Sequence, residues 1–85
     1  MDPRQEVLLH MHLDDLPDIS VRAYNRLKKA GLEYVGQLVQ LTEEGILSLP
    51  AAGPGTLANL KRIIEKMDLA FGMQLSEELQ KSFPL

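Results

Sequence analysis

Apolar residues recur along this chain at helical intervals of three and four, not in strand-like alternation. Breakers at Pro17, Gly31, Gly36, Gly45, Pro50, Gly53, Pro54, Gly55 and Gly72 cut the pattern into short pieces. The pattern predicts an all-α fold, a compact bundle of four to five short helices. The first predicted helix follows Ser20 as N-cap, with Val21, Tyr24, Leu27 and Ala30 recurring at threes; Lys28 and Lys29 fill a basic last turn before Gly31. A second spans roughly Val35 to Gln40. A third opens at Thr42 as N-cap, carries Glu43 and Glu44 in its first turn, and is stopped by Pro50. The fourth is the most regular: Leu57, Leu60, Ile64 and Met67 form one stripe that Ile63 widens, and Pro54 suits the first helical position. Residues 1–12 read as a linker or flexible leader, 13–76 as the helical domain and 77–85 as a C-terminal tail. Beyond Met67, Leu69, Phe71, Met73, Leu75 and Leu79 suffice for the polypeptide to pack back on the bundle, with one more turn from Ser76 to Lys81.

Size narrows the functional classes. A protein of 85 residues has an expected radius of gyration of about 12 Å, so an enclosed ligand cavity of the usual roughly 300–1,000 Å³ would hollow out its core. A surface-binding module is the better expectation than an enzyme. There is no cysteine, which removes disulfides, thiolate nucleophiles and Cys-rich zinc folds together. No apolar run approaches the roughly 20 residues that cross a bilayer, and residues 1–6 lack a signal-peptide layout. The sequence therefore predicts a cytoplasmic protein without membrane contact.

The net charge of −3 hides a segregated distribution. Residues 20–32 carry Arg22, Arg26, Lys28 and Lys29 with no acid, and residues 53–67 carry Lys61, Arg62 and Lys66 against Glu65 alone. The remainder is strongly acidic. One face can thus meet polyanions while another meets basic partners.

Two stretches carry candidate chemistry. The segment from Leu49 to Ala58, a Pro/Gly turn followed by a helix start, resembles the hairpin of a helix-hairpin-helix-like element, and the first-turn amides of Gly55, Thr56 and Leu57 and the helix dipole suit a phosphate. Taken alone, it reads equally as a tight interhelical turn. Arg22, Asn25, Arg26 and Lys29 fall at i, i+3, i+4 and i+7, on one helix face. Such a stripe is commonly a solvated surface, but an asparagine among cations also suits phosphate, sugar and base edges. His10, His12 and Asp14 read as incidental and not as metal ligands, and the adjacent carboxylate pairs point apart on a helix. No catalytic residue, metal or cofactor is expected.

Asp14-Asp15-Leu16, the run Ile19 to Lys28, Val35-Gly36-Gln37-Leu38, Gly53 to Leu57 and the closing Leu69 to Leu75 together resemble the C-terminal domain of the bacterial RNA polymerase alpha subunit, over about residues 7–76. The resemblance implies a tethered, non-catalytic domain that binds the minor groove of A/T-rich upstream promoter DNA. It implies Arg22 as the groove-inserted arginine, with Asn25, Arg26, Gly53 and Thr56 as further contacts; Lys29 joins them from the basic face and Gly55 from the helix start. Asp15 and Asp18 resemble a patch that faces the sigma factor. The region Thr42 to Ile46, with Glu43 and Glu44, resembles one met by transcription activators. Other polymerase subunits are expected to be met through an amino-terminal assembly domain, and the expectation is an excised domain of a nucleoid-associated bacterial enzyme, with a free-standing relative or an atypical second alpha subunit as alternatives.

The sequence departs from that pattern at Gly55, where a lysine is common, at Asn59, where a glutamate is common, by one extra residue near Pro17, and at Ala51-Ala52, where the loop is usually more polar. Two alternatives follow. One is a protein-interaction module that has lost DNA binding; the other is a helix-hairpin-helix fragment of a nucleic-acid-processing enzyme.

Overall fold

The computed structural model describes residues 2–85. Among them there are six α-helices: α1 (Pro3–Leu9), α2 (Val21–Lys29), α3 (Val35–Leu38), α4 (Glu43–Leu47), α5 (Pro54–Lys66) and α6 (Glu77–Ser82), with a 3₁₀ turn over Leu13–Asp15. The Cα radius of gyration is 11.8 Å, as expected for one packed domain of this length. The only strand-like feature among the described residues is a single antiparallel bridge between His12 and Tyr34.

Local signals set most boundaries. The hydroxyls of Ser20, Thr42 and Ser76 accept the amides of Ala23, Gly45 and Leu79, so each caps its helix. Helix α2 ends where Gly31, at φ +84°, lets the backbone turn left-handed. There the Leu32 amide donates to the Leu27 carbonyl at 3.1 Å and the Gly31 amide to Lys28 at 3.0 Å, a doubly bonded helix end. The buried stripe of α2 is Ala23 and Leu27, not the Val21–Tyr24–Leu27–Ala30 line expected from the spacing. Val21 is 77% exposed, because the helix start faces outward past the 3₁₀ turn.

Both termini depart from the sequence expectation. In place of a leader over residues 1–12, α1 forms, capped by Asp2, whose carboxylate accepts the Arg4 amide at 2.8 Å while Gln5 returns to the Asp2 amide at 3.1 Å. Leu9 is fully buried, and α1 packs against α3. Residues 77–85 are mostly exposed, but they are anchored to the core by Phe83 and are not an appended tail. Phe83 is buried to 2% exposure, the His10 ring lies 4.8 Å from its ring, and its carbonyl accepts from Gln40 at 2.8 Å. A Cβ at Gly36 would fall 2.5 Å from the Phe83 ring, so glycine is what allows the phenyl group into α3.

Around this plug the core gathers Leu9, Leu13, Leu27, Val35, Leu38, Val39, Ile46, Leu60 and Ile64, all essentially without exposure. Helix α5 packs against both α2 and α4. That arrangement brings the amino ends of α2 and α5 together.

Candidate nucleic-acid interface

The amino end of α5 is built by three residues with distinct roles. Gly53 is the N-cap in extended backbone (φ −129°, ψ −175°), and Pro54 occupies the first helical position, where its missing N–H leaves nothing unpaired. The amides of Gly55 and Thr56 have no acceptor among the described residues. The Leu57 amide, expected to be free, is instead donated to the Gly53 carbonyl at 3.2 Å. Two amides at the helix start, not three, are therefore left without a partner, the groups that anions satisfy at such ends.

Thr56 as a whole is only 4% exposed, so it meets the surface solely through the small part that lines the depression beside Gly55. Gly55 is exposed, its φ is not positive, and a Cβ there would meet no atom within 4 Å.

Arg22 stands across from these amides. Ser20, Arg22, Ala51, Gly53, Pro54, Gly55, Thr56 and Asn59 line one open depression of ≈ 570 Å³. Of the seven residues expected to meet DNA, four thus surround one concave surface: Arg22, Gly53, Gly55 and Thr56. Asn25 and Lys29 are exposed further along α2 and do not line it. Arg26 is half-buried and donates from Nε to the Ala51 carbonyl at 3.3 Å, which ties α2 to the α4–α5 hairpin. Neither Arg22, Arg26 nor Lys29 is in an ion pair among the described residues.

Ala51 holds φ +62° at the turn itself, the position where a hairpin of this kind commonly has glycine. An L-residue there stores strain. Asn59, one of the departures from the family pattern, proves to be structural: its Oδ1 accepts the Ser20 amide at 3.0 Å and its Nδ2 donates to the Asp18 carbonyl at 3.1 Å. No sequence signal marks this tie, because it joins segments distant in sequence.

The acidic positions lie apart from the depression. Asp15 ends the 3₁₀ turn and is exposed. Asp18 is exposed at φ +65°, a conformation that aspartate tolerates better than most residues, so the turn gives it a second role. Neighbouring Asp14 accepts a hydrogen bond from the Tyr24 hydroxyl. That bond holds the Asp14 carboxyl below its ordinary range and pushes the Tyr24 phenol up, with His12 and Lys28 adding smaller favourable fields to Asp14. Glu43 and Glu44 are exposed in the first turn of α4, and Glu43 meets Lys61 at 3.5 Å. The His10 ring lies tilted against Phe83 and the His12 ring meets Tyr34 edge-on, and no three His, Asp or Glu side chains among the described residues are grouped to hold a metal ion. No helix among the described residues is long and apolar enough to cross a membrane.

The order of helices, with a hairpin between α4 and α5 and a cation facing its amides, defines a small helical domain of the helix-hairpin-helix type. The protein belongs to the family formed by the C-terminal domain of the alpha subunit of bacterial RNA polymerase, whose model matches residues 1–69. Among its relatives, the DNA-directed RNA polymerase subunit alpha of Chlorobium phaeobacteroides is 39% identical over 74 residues, covering 87% of this sequence and 22% of that protein. The same subunit of Maridesulfovibrio salexigens is 41% identical over 69 residues, 81% of this sequence and 20% of the relative. That of Syntrophus aciditrophicus is 40% identical over 68 residues, 80% and 19%. The polypeptide thus spans about a fifth of the length of the relatives it matches.

Proposed function

We propose that this domain binds the minor groove of A/T-rich duplex DNA through the depression between α2 and α5, as a non-catalytic part of an RNA polymerase. The observation that carries the reading is the convergence of one unpaired guanidinium, Arg22, and two unpaired helix-start amides, Gly55 and Thr56, on one concave surface. The amides and the α5 dipole grip a phosphate. Arg22 enters the adjacent groove, where a narrow A-tract concentrates negative potential. Asn25 and Lys29 extend the contact along α2, and Arg26 buttresses it through Ala51. Asp15 and Asp18 serve a basic surface on a sigma factor, and Glu44 with Glu43 serves transcription activators; the remaining polymerase subunits and a cytoplasmic, nucleoid-associated setting belong to the same reading.

Titration of an A/T-rich duplex into the labelled domain, followed by amide shifts, tests it. The amides of Gly55, Thr56 and residues 20–26 should move most, and Arg22→Ala should abolish most binding. Because Arg22 is exposed, that variant should keep its stability within about 0.5 kcal/mol. Shifts confined to Asp15, Asp18 and α4, or equal affinity in Arg22→Ala, would replace this reading with that of a protein-interaction module.

A further inference from the structure

The amide of Asn59 grips the backbone on both sides of Ile19. Asn59 lies in the second turn of α5, half-buried at the edge of the depression. Its Oδ1 takes the Ser20 amide at 3.0 Å and its Nδ2 reaches the Asp18 carbonyl at 3.1 Å. Neither of those backbone groups has another partner among the described residues, so the side chain substitutes for a paired strand. The gripped segment is the turn that launches α2: Asp18 holds φ +65°, Ser20 caps the helix through the Ala23 amide at 3.0 Å, and Arg22 follows two residues later. On the far side, Arg26 is bonded to the Ala51 carbonyl at 3.3 Å. Arg22 is therefore bracketed by two polar ties that run from α2 to the hairpin and helix supplying the free amides.

We propose that Asn59 is a positioning residue that sets A/T selectivity, by fixing where α2 starts relative to the amino end of α5. The inference rests on the DNA-binding reading above and adds a division of labour to it. Contacts from the Gly55 and Thr56 amides to phosphate carry no sequence information, whereas a guanidinium inserted into a narrow minor groove reads groove width. Cutting the tie at Asn59 lets the start of α2 drift, which costs the groove contact and spares the phosphate contact. Selectivity then falls while general affinity persists.

The test is the ratio of affinities of the intact protein for an A/T-rich and a G/C-rich duplex of equal length, for wild type and Asn59→Ala, with a melting curve for each. The expected result is a drop of about tenfold toward the G/C-rich value for the A/T-rich duplex, roughly the effect of one lost base-level contact. The G/C-rich affinity should stay within about twofold. A purely destabilising role would lower both affinities by one factor and leave the ratio intact, and that outcome, like unchanged affinity for both, overturns the proposal. If Asn59→Ala does not melt cooperatively, Asn59→Asp keeps an acceptor for the Ser20 amide and removes the donor to Asp18; a reduced ratio there supports the proposal and an unchanged one overturns it. A wild-type protein that binds both duplexes equally overturns the underlying A/T minor-groove reading, one that binds neither overturns DNA binding altogether, and both are thereby told apart from a failure at Asn59.

Discussion

Replacing Gly55 by lysine should convert a weak phosphate grip into a stronger one without disturbing the fold. The new Cβ has open space, the backbone needs no left-handed angle, and the position is exposed at the second residue of α5. Two opposing effects on stability nearly cancel: lysine is a better helix former than glycine by up to about 0.8 kcal/mol, and a cation in the first turn opposes the dipole by about 0.3–1 kcal/mol. The melting temperature should then stay within about 4 °C, since 1 kcal/mol moves a domain of this size by roughly 4–8 °C. Binding should respond through counterion release, with the slope of log affinity against log salt steepening by about 0.9 for one added phosphate contact. Between 50 and 200 mM salt that slope makes the advantage of Gly55→Lys shrink by about 3.5-fold. Fluorescence anisotropy with a labelled A/T-rich duplex at four salt concentrations measures it. A variant that melts normally and gives a line parallel to wild type would show that the amino end of α5 does not face phosphate.

Three further outcomes check separate parts of the structure. Ala51→Gly should stabilise the domain: releasing a left-handed alanine returns roughly 1–2 kcal/mol, glycine's freedom in the unfolded state offsets about 0.4–1 kcal/mol, and a melting temperature that does not rise would refute strain at φ +62°. Gly36→Ala should destabilise by about 1–3 kcal/mol through overpacking on the Phe83 ring, seen as an earlier denaturant midpoint, and Phe83→Leu in the same variant should recover part of the loss. Tyr24→Phe should raise the Asp14 titration toward its ordinary range, since the hydroxyl is the largest cause of its lowering, and carboxyl NMR reads this directly. Because the folded Asp14 titrates low and the folded Tyr24 high, their bond supports the fold between the two titrations; its contribution fades in acid below about pH 3.9 and in base above about pH 10, and Tyr24→Phe should flatten stability at both extremes.

Where a local rule governs a segment, the sequence was readable. Ser20, Thr42, Pro54 and Gly31 mark helix ends through their own backbone chemistry, and α2, α4 and α5 begin where those residues place them. Helix α1 was missed: the Asp2-Pro3 start with Gln5 following is a local signal of the same kind, but the run Val7-Leu8-Leu9 has no period to draw attention to it, and the segment read as a leader. What the pattern could not yield depends on tertiary partners. Whether the first-turn residue Thr56 points at solvent or at the core is decided by the packing of α5 against α2 and α4. The choice of Asn59 as a tie depends on a turn 41 residues earlier.

The insertion of Phe83 beside Gly36 separates two boundaries that are easily taken as one. Similarity to the family model stops at residue 69, whereas the hydrophobic interior is sealed only by a ring 14 residues later, held against α3 and the end of α1. The stretch that the family model matches and the stretch that folds are therefore of different lengths. A fragment trimmed to the matched stretch would carry every residue of the depression between α2 and α5 and still expose the slot at Gly36 to water, so weak binding by it would report a leaking core instead of a poor interface.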